Sequence, residues 1–121
     1  TNIKDLGYVE DEELLDLFEE AELFLQPSRR DGWSVAVLEA MRSGTPPVVS
    51  ENVGSKEMVN KLDGELVSDL NSESLAESIK YFLDKKADEK QKLSDRSRQI
   101  SQNFKQQEQI QKFRSKFWIF F

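Results

Sequence analysis

The sequence predicts an α/β domain: a parallel sheet with helices on both faces, followed by a helical C-terminal part. Three observations point to it. Short apolar runs of strand length alternate with helix-period segments from residue 3 to residue 67. The order strand, helix, strand returns the chain to the same end of the sheet, which makes neighbouring strands parallel. From residue 72 onward the pattern is helical, with mostly polar faces. The expected division is residues 1–86 as the α/β unit and residues 87–121 as a helical extension.

Each element has a local reason. IKDLGYV, residues 3–9, reads as a short strand ending near Gly7. In the next stretch Leu14, Leu15, Phe18 and Ala21 share one helical face. Asp11, Glu12 and Glu13 open that helix, where its dipole favours acids. LFLQ, residues 23–26, is an apolar run stopped by Pro27, a buried strand. A polar loop from Ser28 to Trp33 follows. Residues 35–42 read as a helix with Ser34 as N-cap and Gly44 as C-cap. PVVS, residues 47–50, is another strand, residues 54–60 hold a short helix, and Asp63-Gly64 turns into a last short strand at residues 65–67. Residues 72–84 are amphipathic through Leu75, Ala76, Ile79, Phe82 and Leu83. Residues 87–102 are polar and helical, with only Leu93 and Ile100 to anchor them. Residues 106–117 place Ile110, Phe113 and Phe117 on one side of a helix, and the chain ends in FWIFF.

Composition narrows the chemistry. The 121 residues suffice for one small domain. A net charge of −6 without a large basic block argues against nucleic acid as a partner. Cys and His are both absent, which excludes disulfides, Cys nucleophiles, zinc fingers and His acid–base catalysis. No metal-ligand set is visible. No run reaches the roughly 20 apolar residues of a membrane span, and the first residues lack the apolar core of a signal peptide. The chain starts at Thr1 rather than Met, which sets the expectation of a piece of something longer.

The informative stretch is RRDGWSVAVLEAMRSGTPPVVS, residues 29–50. Its helix, Val35 to Met41, is apolar except for Glu39, and an unpartnered buried carboxylate is expensive to ionise. The helix begins in the loop after strand 23–26, and ligands of parallel sheets gather beyond the carboxyl ends of strands. Free amides of Ser34, Val35 and Ala36 would form an anion site. Gly32 lets the backbone approach a ligand closely. Glu39 lies about 7.5 Å along the axis from Ser34, at about 1.5 Å per residue. Two acids beside an anion site suit a ligand that carries both phosphates and hydroxyls, such as a nucleotide sugar.

The ordered set of Asp31, Gly32-Trp33, Glu39 and Gly44-Thr45-Pro46 resembles the signature of family 4 retaining glycosyltransferases of the GT-B fold. NVGSKEMV, DGELV and SESLAESIKYFL are similar to that family too. The likeness spans nearly the whole chain and is weakest after residue 87. It implies the Rossmann-like, nucleotide-sugar-binding half of the GT-B fold with its first strands missing. By position, Glu39 would bind the ribose hydroxyls and Asp31 the donor-sugar hydroxyls. Gly32, Trp33, Ser34 and Val35 would surround the diphosphate and sugar. The implied activity is transfer of a sugar to an acceptor hydroxyl with retention, from a UDP- or GDP-linked donor that is substrate rather than cofactor. The acceptor, a glycan or a lipid-linked one, would be held by the missing N-terminal domain. A cytoplasmic location follows, with peripheral contact at the inner membrane face left open. The family usually has Glu where this chain has Asp31, one methylene shorter. An alternative is a non-catalytic relative that binds nucleotide sugar or scaffolds a partner.

Plainer readings stand beside these. Asp31 and Glu57 are also ordinary helix-start acids. Arg29 and Arg30 are loop arginines of a kind that usually does nothing specific. Trp33 lines the sugar pocket or wedges the loop into the core. Thr45 is a turn former as readily as a contact. In the doubly wound order, strand 3–9 and strand 23–26 would not be neighbours without a missing strand between them. The isolated chain is therefore expected to leave sheet edges and apolar surface open.

Overall fold

A computed structural model of the chain describes residues 3–29 and 35–103. The elements in order are α1 (Asp11–Glu20), β1 (Phe24–Gln26), α2 (Val35–Arg42), β2 (Pro47–Ser50), α3 (Lys56–Leu62), a single 3₁₀ turn (Gly64–Leu66), β3 (Val67–Ser68), α4 (Ser72–Leu83) and α5 (Ala87–Gln102). The strands form one parallel sheet in the order β1-β2-β3. Phe24 pairs with Pro47 and Gln26 with Val49, while Val49 pairs with Val67 and Ser50 with Ser68.

Helices cover both faces of this sheet. Val48 and Val49 are adjacent in β2, so their side chains point to opposite faces, and both are fully buried. Right-handed crossovers place α2 and α3 on the same face. α5 packs against both of them, and α1 packs beside α2. α4 lies against β2 and β3 and covers the other face. The core joins Val37, Leu38 and Met41 of α2 to Val48 and Val49, Met58 and Val59 of α3, Leu66, and Phe82 of α4. Each such side chain contributes about 1.5–3 kcal/mol through burial.

Three caps hold element ends among the described residues, and the one at Gly44 is the one the sequence led us to expect. Gly44 has φ +82, and the amides of Gly44 and Thr45 donate to Met41 and Ala40 carbonyls at 3.0 and 2.9 Å. These two bonds close α2 in a left-handed glycine cap. Asn71 caps α4, its side chain accepting from the Ser74 amide at 2.7 Å. Asp63 caps the 3₁₀ turn through the Glu65 amide at 3.0 Å and accepts from the Tyr81 hydroxyl at 2.7 Å, tying α4 to the strand entrance.

Some expectations fail, each for a physical reason. Residues 3–9 form no strand. Gly7 has φ +62 and its amide donates to the Asp5 carboxylate at 2.9 Å, a local turn that competes with an extended backbone. Ile3 and Tyr8 are 87% and 75% exposed. Without a neighbouring strand among the described residues, the apolar side chains here have nothing to pair with. The strand expected at 65–67 is the 3₁₀ turn followed by β3, because the Asp63 cap curls residues 64–66 first. The helix expected at 54–60 is Lys56–Leu62, two residues later. On α4 the inward stripe runs through Leu75, Ser78, Ile79 and Phe82, while Ala76 and Leu83 face out. On α5, Ser97 and Ser101 are fully buried beside Leu93 and the half-buried Ile100. Their hydroxyls donate to the helix's own carbonyls of Leu93 and Arg98, at 2.8 and 2.9 Å. Being small and internally satisfied, they let a polar helix pack closely on α2.

β1 has β2 on one side and, among the described residues, no strand on the other. Leu6, Leu15 and Leu25 are exposed near this region of the chain. Among those residues, the expected open sheet edge is therefore present. The expected terminal helix at 106–117 and the FWIFF end lie outside the described residues.

Candidate functional site

The site is built at the carboxyl edge of the sheet. β1 ends at Gln26, β2 at Ser50 and β3 at Ser68, and all three strands run the same way. Short hydrogen bonds shape the chain just beyond them. The Ser50 hydroxyl donates to the Ser28 carbonyl at 2.5 Å. The Gln26 side-chain Nε2 donates to the Ser28 hydroxyl at 2.9 Å. The Glu51 amide donates to the Ser68 carbonyl at 2.8 Å. The strand ends are thus tied to one another by the loops that leave them.

α2 rises from this edge. Val35 is its first residue and is buried. Val37, Leu38, Ala40 and Met41 are buried as well. The helix was expected to be buried on nearly all sides, but Ala36 and Glu39 are half-buried and Arg42 is exposed. These three recur at intervals of three residues and form one partly open stripe. Glu39 therefore sits neither in the core nor free in solvent. It is also engaged with the rest of the structure rather than left alone. From Val35 it lies about 6 Å along the helix axis, at about 1.5 Å per residue. Asp31, Gly32, Trp33 and Ser34, with Arg30, lie outside the described residues. Of the expected site residues, Val35 and Glu39 are the two described; Val35 opens α2 and Glu39 lies about one turn further along it.

Among the described residues, two cavities open along this edge. The larger, about 530 Å³, is lined by Arg29, Glu51, Asn52, Val53, Gly54 and Lys56. The smaller, about 300 Å³, lies between Pro27 and Arg29 on one side and the β3–α4 connection on the other. Arg29 borders both, so the residue that precedes the 30–34 segment links the two. Glu57, in the first turn of α3, is exposed. Thr45 serves the fold: it is buried, and its hydroxyl donates to the Phe18 carbonyl, fastening α1 to the end of α2. Gly44 closes the helix, as its cap reading implied.

Sequence reasoning did not single out the β3–α4 connection or Ser50 and Ser68. A signal existed in the two serines that end PVVS and LVS at strand termini. Nothing in one sequence shows that those termini are neighbours; the register of β2 and β3 does. Among the described residues, no group of three or more acids stands together as a metal site. Among the same residues, no helix is long and apolar enough to cross a membrane.

Residues 1–106 match the family described as glycosyl transferases group 1. The chain is 42% identical over 69 residues to O-antigen chain mannosyltransferase B of Escherichia coli, covering 57% of this chain and 18% of that protein. It is 46% identical over 48 residues to mannosylfructose-phosphate synthase of Agrobacterium fabrum, covering 40% and 11%. It is 34% identical over 83 residues to N,N'-diacetylbacillosaminyl-diphospho-undecaprenol alpha-1,3-N-acetylgalactosaminyltransferase of Campylobacter jejuni, covering 68% and 21%. The chain spans about a fifth or less of the length of these relatives. No solved structure matches it.

Proposed function

Because the chain belongs to the group 1 glycosyl transferases, we propose that it is the donor-binding part of an enzyme that transfers a sugar from a nucleoside diphosphate to an acceptor hydroxyl, with retention at the anomeric carbon. The observation that carries the reading is the placement of Glu39: half-buried, on the open stripe of α2, a little over one turn from a helix end at the carboxyl edge of a parallel sheet. A carboxylate there accepts two hydrogen bonds from a vicinal diol. The amides that open α2 suit a diphosphate. In the transfer, the acceptor oxygen bonds to the anomeric carbon, the diphosphate leaves with the bonding pair, and the acceptor proton is released. The leaving diphosphate gains charge as the bond breaks, so amides aimed at it favour the transition state over the ground state. Asp31, Gly32, Trp33 and Ser34 complete the site in this reading, with Asp31 on the donor-sugar hydroxyls. The acceptor side lies in further chain. The names of the relatives support sugar donors such as mannosyl or N-acetylgalactosaminyl and an acceptor that is a glycan or a lipid diphosphate.

The test is nucleotide binding by titration calorimetry on the full-length natural protein. Wild type is expected to bind UDP or GDP and to prefer the ribose form over its 2′-deoxy analogue. Glu39→Ala should weaken binding about tenfold or more and erase that preference, since a charged hydrogen bond to the diol is lost. An unchanged affinity and unchanged ribose preference would remove Glu39 from the site.

A further inference from the structure

We propose that Ser50 is a positioning residue for the donor site: its hydroxyl holds the chain that leaves β1 in the path a nucleotide needs, without touching the nucleotide itself. This role rests on the donor-binding reading and deepens it, because Ser50 acts on the site through Ser28.

Ser50 is a fixed post. It ends β2, the central strand, and is buried. Its backbone pairs with Ser68 of β3, and its carbonyl accepts from the Val53 amide at 3.0 Å. Its hydroxyl donates across to the Ser28 carbonyl at 2.5 Å. That carbonyl lies beyond Gln26, the last residue that β1 pairs with β2. The side-chain bond therefore extends the hold of β2 on this chain past the end of the ladder. Gln26 adds a second bond, from its side-chain Nε2 to the Ser28 hydroxyl at 2.9 Å. Ser28 is thus gripped at its carbonyl from β2 and at its hydroxyl from β1.

What is gripped decides what the grip does. The held carbonyl belongs to the peptide that joins Ser28 to Arg29. Arg29 is exposed and borders both cavities of the carboxyl edge. Residues 30–34 then lead to Val35, which is buried at the start of α2. The core fixes Val35 and Ser50 fixes the peptide before Arg29, so both ends of that stretch are set. Order present before a ligand arrives does not have to be created when it binds. In Ser50→Ala the Ser28 carbonyl loses this donor and turns towards water. The worth of the lost bond then shows as lost affinity. α2 stays in place, because Val35, Val37, Leu38 and Met41 anchor it in the core, and Glu39 stays with it.

The experiment is titration of UDP and GDP into the full-length natural protein, wild type and variants, each below its thermal midpoint. Ser50→Ala should weaken whichever nucleotide wild type binds by about threefold to tenfold, the equivalent of one net hydrogen bond. It should keep the preference for ribose over 2′-deoxyribose that Glu39 confers. Ser50→Thr, which keeps the hydroxyl, should restore the affinity to within about twofold of wild type. Tyr81→Phe is the control, since it breaks a bond at the opposite edge of the sheet. It should lower the thermal midpoint and leave nucleotide affinity unchanged. A merely structural Ser50 would behave like that control, with Ser50→Ala losing stability at wild-type affinity, and this result overturns the proposal. Equal weakening by Tyr81→Phe, or no recovery in a folded Ser50→Thr, overturns it too. If Ser50→Ala does not fold, Ser50→Cys takes its place with a weak donor of similar size, and the same expectations hold. Failure of wild type to bind either nucleotide would remove the donor-binding reading, and the role of Ser50 with it; equal binding by wild type and Ser50→Ala removes the role of Ser50 alone.

Discussion

Replacing Gly44 by alanine tests how α2 is held in place. Gly44 sits at φ +82, where an L side chain is strained by about 1–2 kcal/mol. Alanine also restricts the unfolded chain, which returns about 0.4–1 kcal/mol. A Cβ at this position would also run into the guanidinium of Arg98 on α5. That group is the far end of a flexible side chain, so it swings aside rather than forcing the helices apart. In doing so it gives up its contact with Asp95 at 3.3 Å, a half-exposed pair worth at most about 1 kcal/mol. The sum is a destabilisation of about 1–2 kcal/mol for Gly44→Ala. Most of the Arg98 share should vanish in an Arg98→Ala background, leaving about 1 kcal/mol. Urea unfolding of the full-length protein, with the slope checked for constancy, measures both. A neutral Gly44→Ala would refute the strained cap. An identical cost in both backgrounds would refute the clash.

Other substitutions probe other joints. Thr45→Val removes the buried hydroxyl that fastens Phe18 and should cost about 1–3 kcal/mol, with Thr45→Ser recovering most of it in the same unfolding assay. Tyr81 has its pKa raised, chiefly by the hydrogen bond to Asp63 and then by burial, and Lys85 has its pKa raised chiefly by its bond to Tyr81. Both shifts are upward, so the stability they add is whole below the unfolded values, around pH 10, and is lost as pH rises through the folded ones. Tyr81→Phe should flatten that alkaline loss in thermal melts between pH 8 and pH 11 (a range set by the tyrosine value of about 10); an unchanged alkaline slope would contradict it.

The local elements were legible because their causes are local. The dipole-compatible acids of α1, the glycine after α2, the Pro27 stop after β1 and the amphipathic stripe of α4 are all written in neighbouring residues. α5 came out with its bounds as expected, Ala87–Gln102, but not its packing. A helix with two apolar anchors gave no hint that Ser97 and Ser101 would be its buried face, since serine carries no burial signal until a partner helix approaches. Residues 3–9 show the opposite error. IKDLGYV has strand composition, yet strand is a property of a pair, and no partner is present among the described residues.

The same division runs through the site. The sequence by itself determined an α/β chain of this family, a helix opening at a strand's carboxyl end, and an acid one turn inside it, because spacing along a helix fixes which residues share an end and a face. The tertiary structure alone decided that Glu39 lies on an open stripe rather than in the core, and that the ends of β2 and β3 place Ser50 beside Ser68. Those are relations between segments far apart in the chain, set by sheet register and helix packing, and no local pattern encodes them.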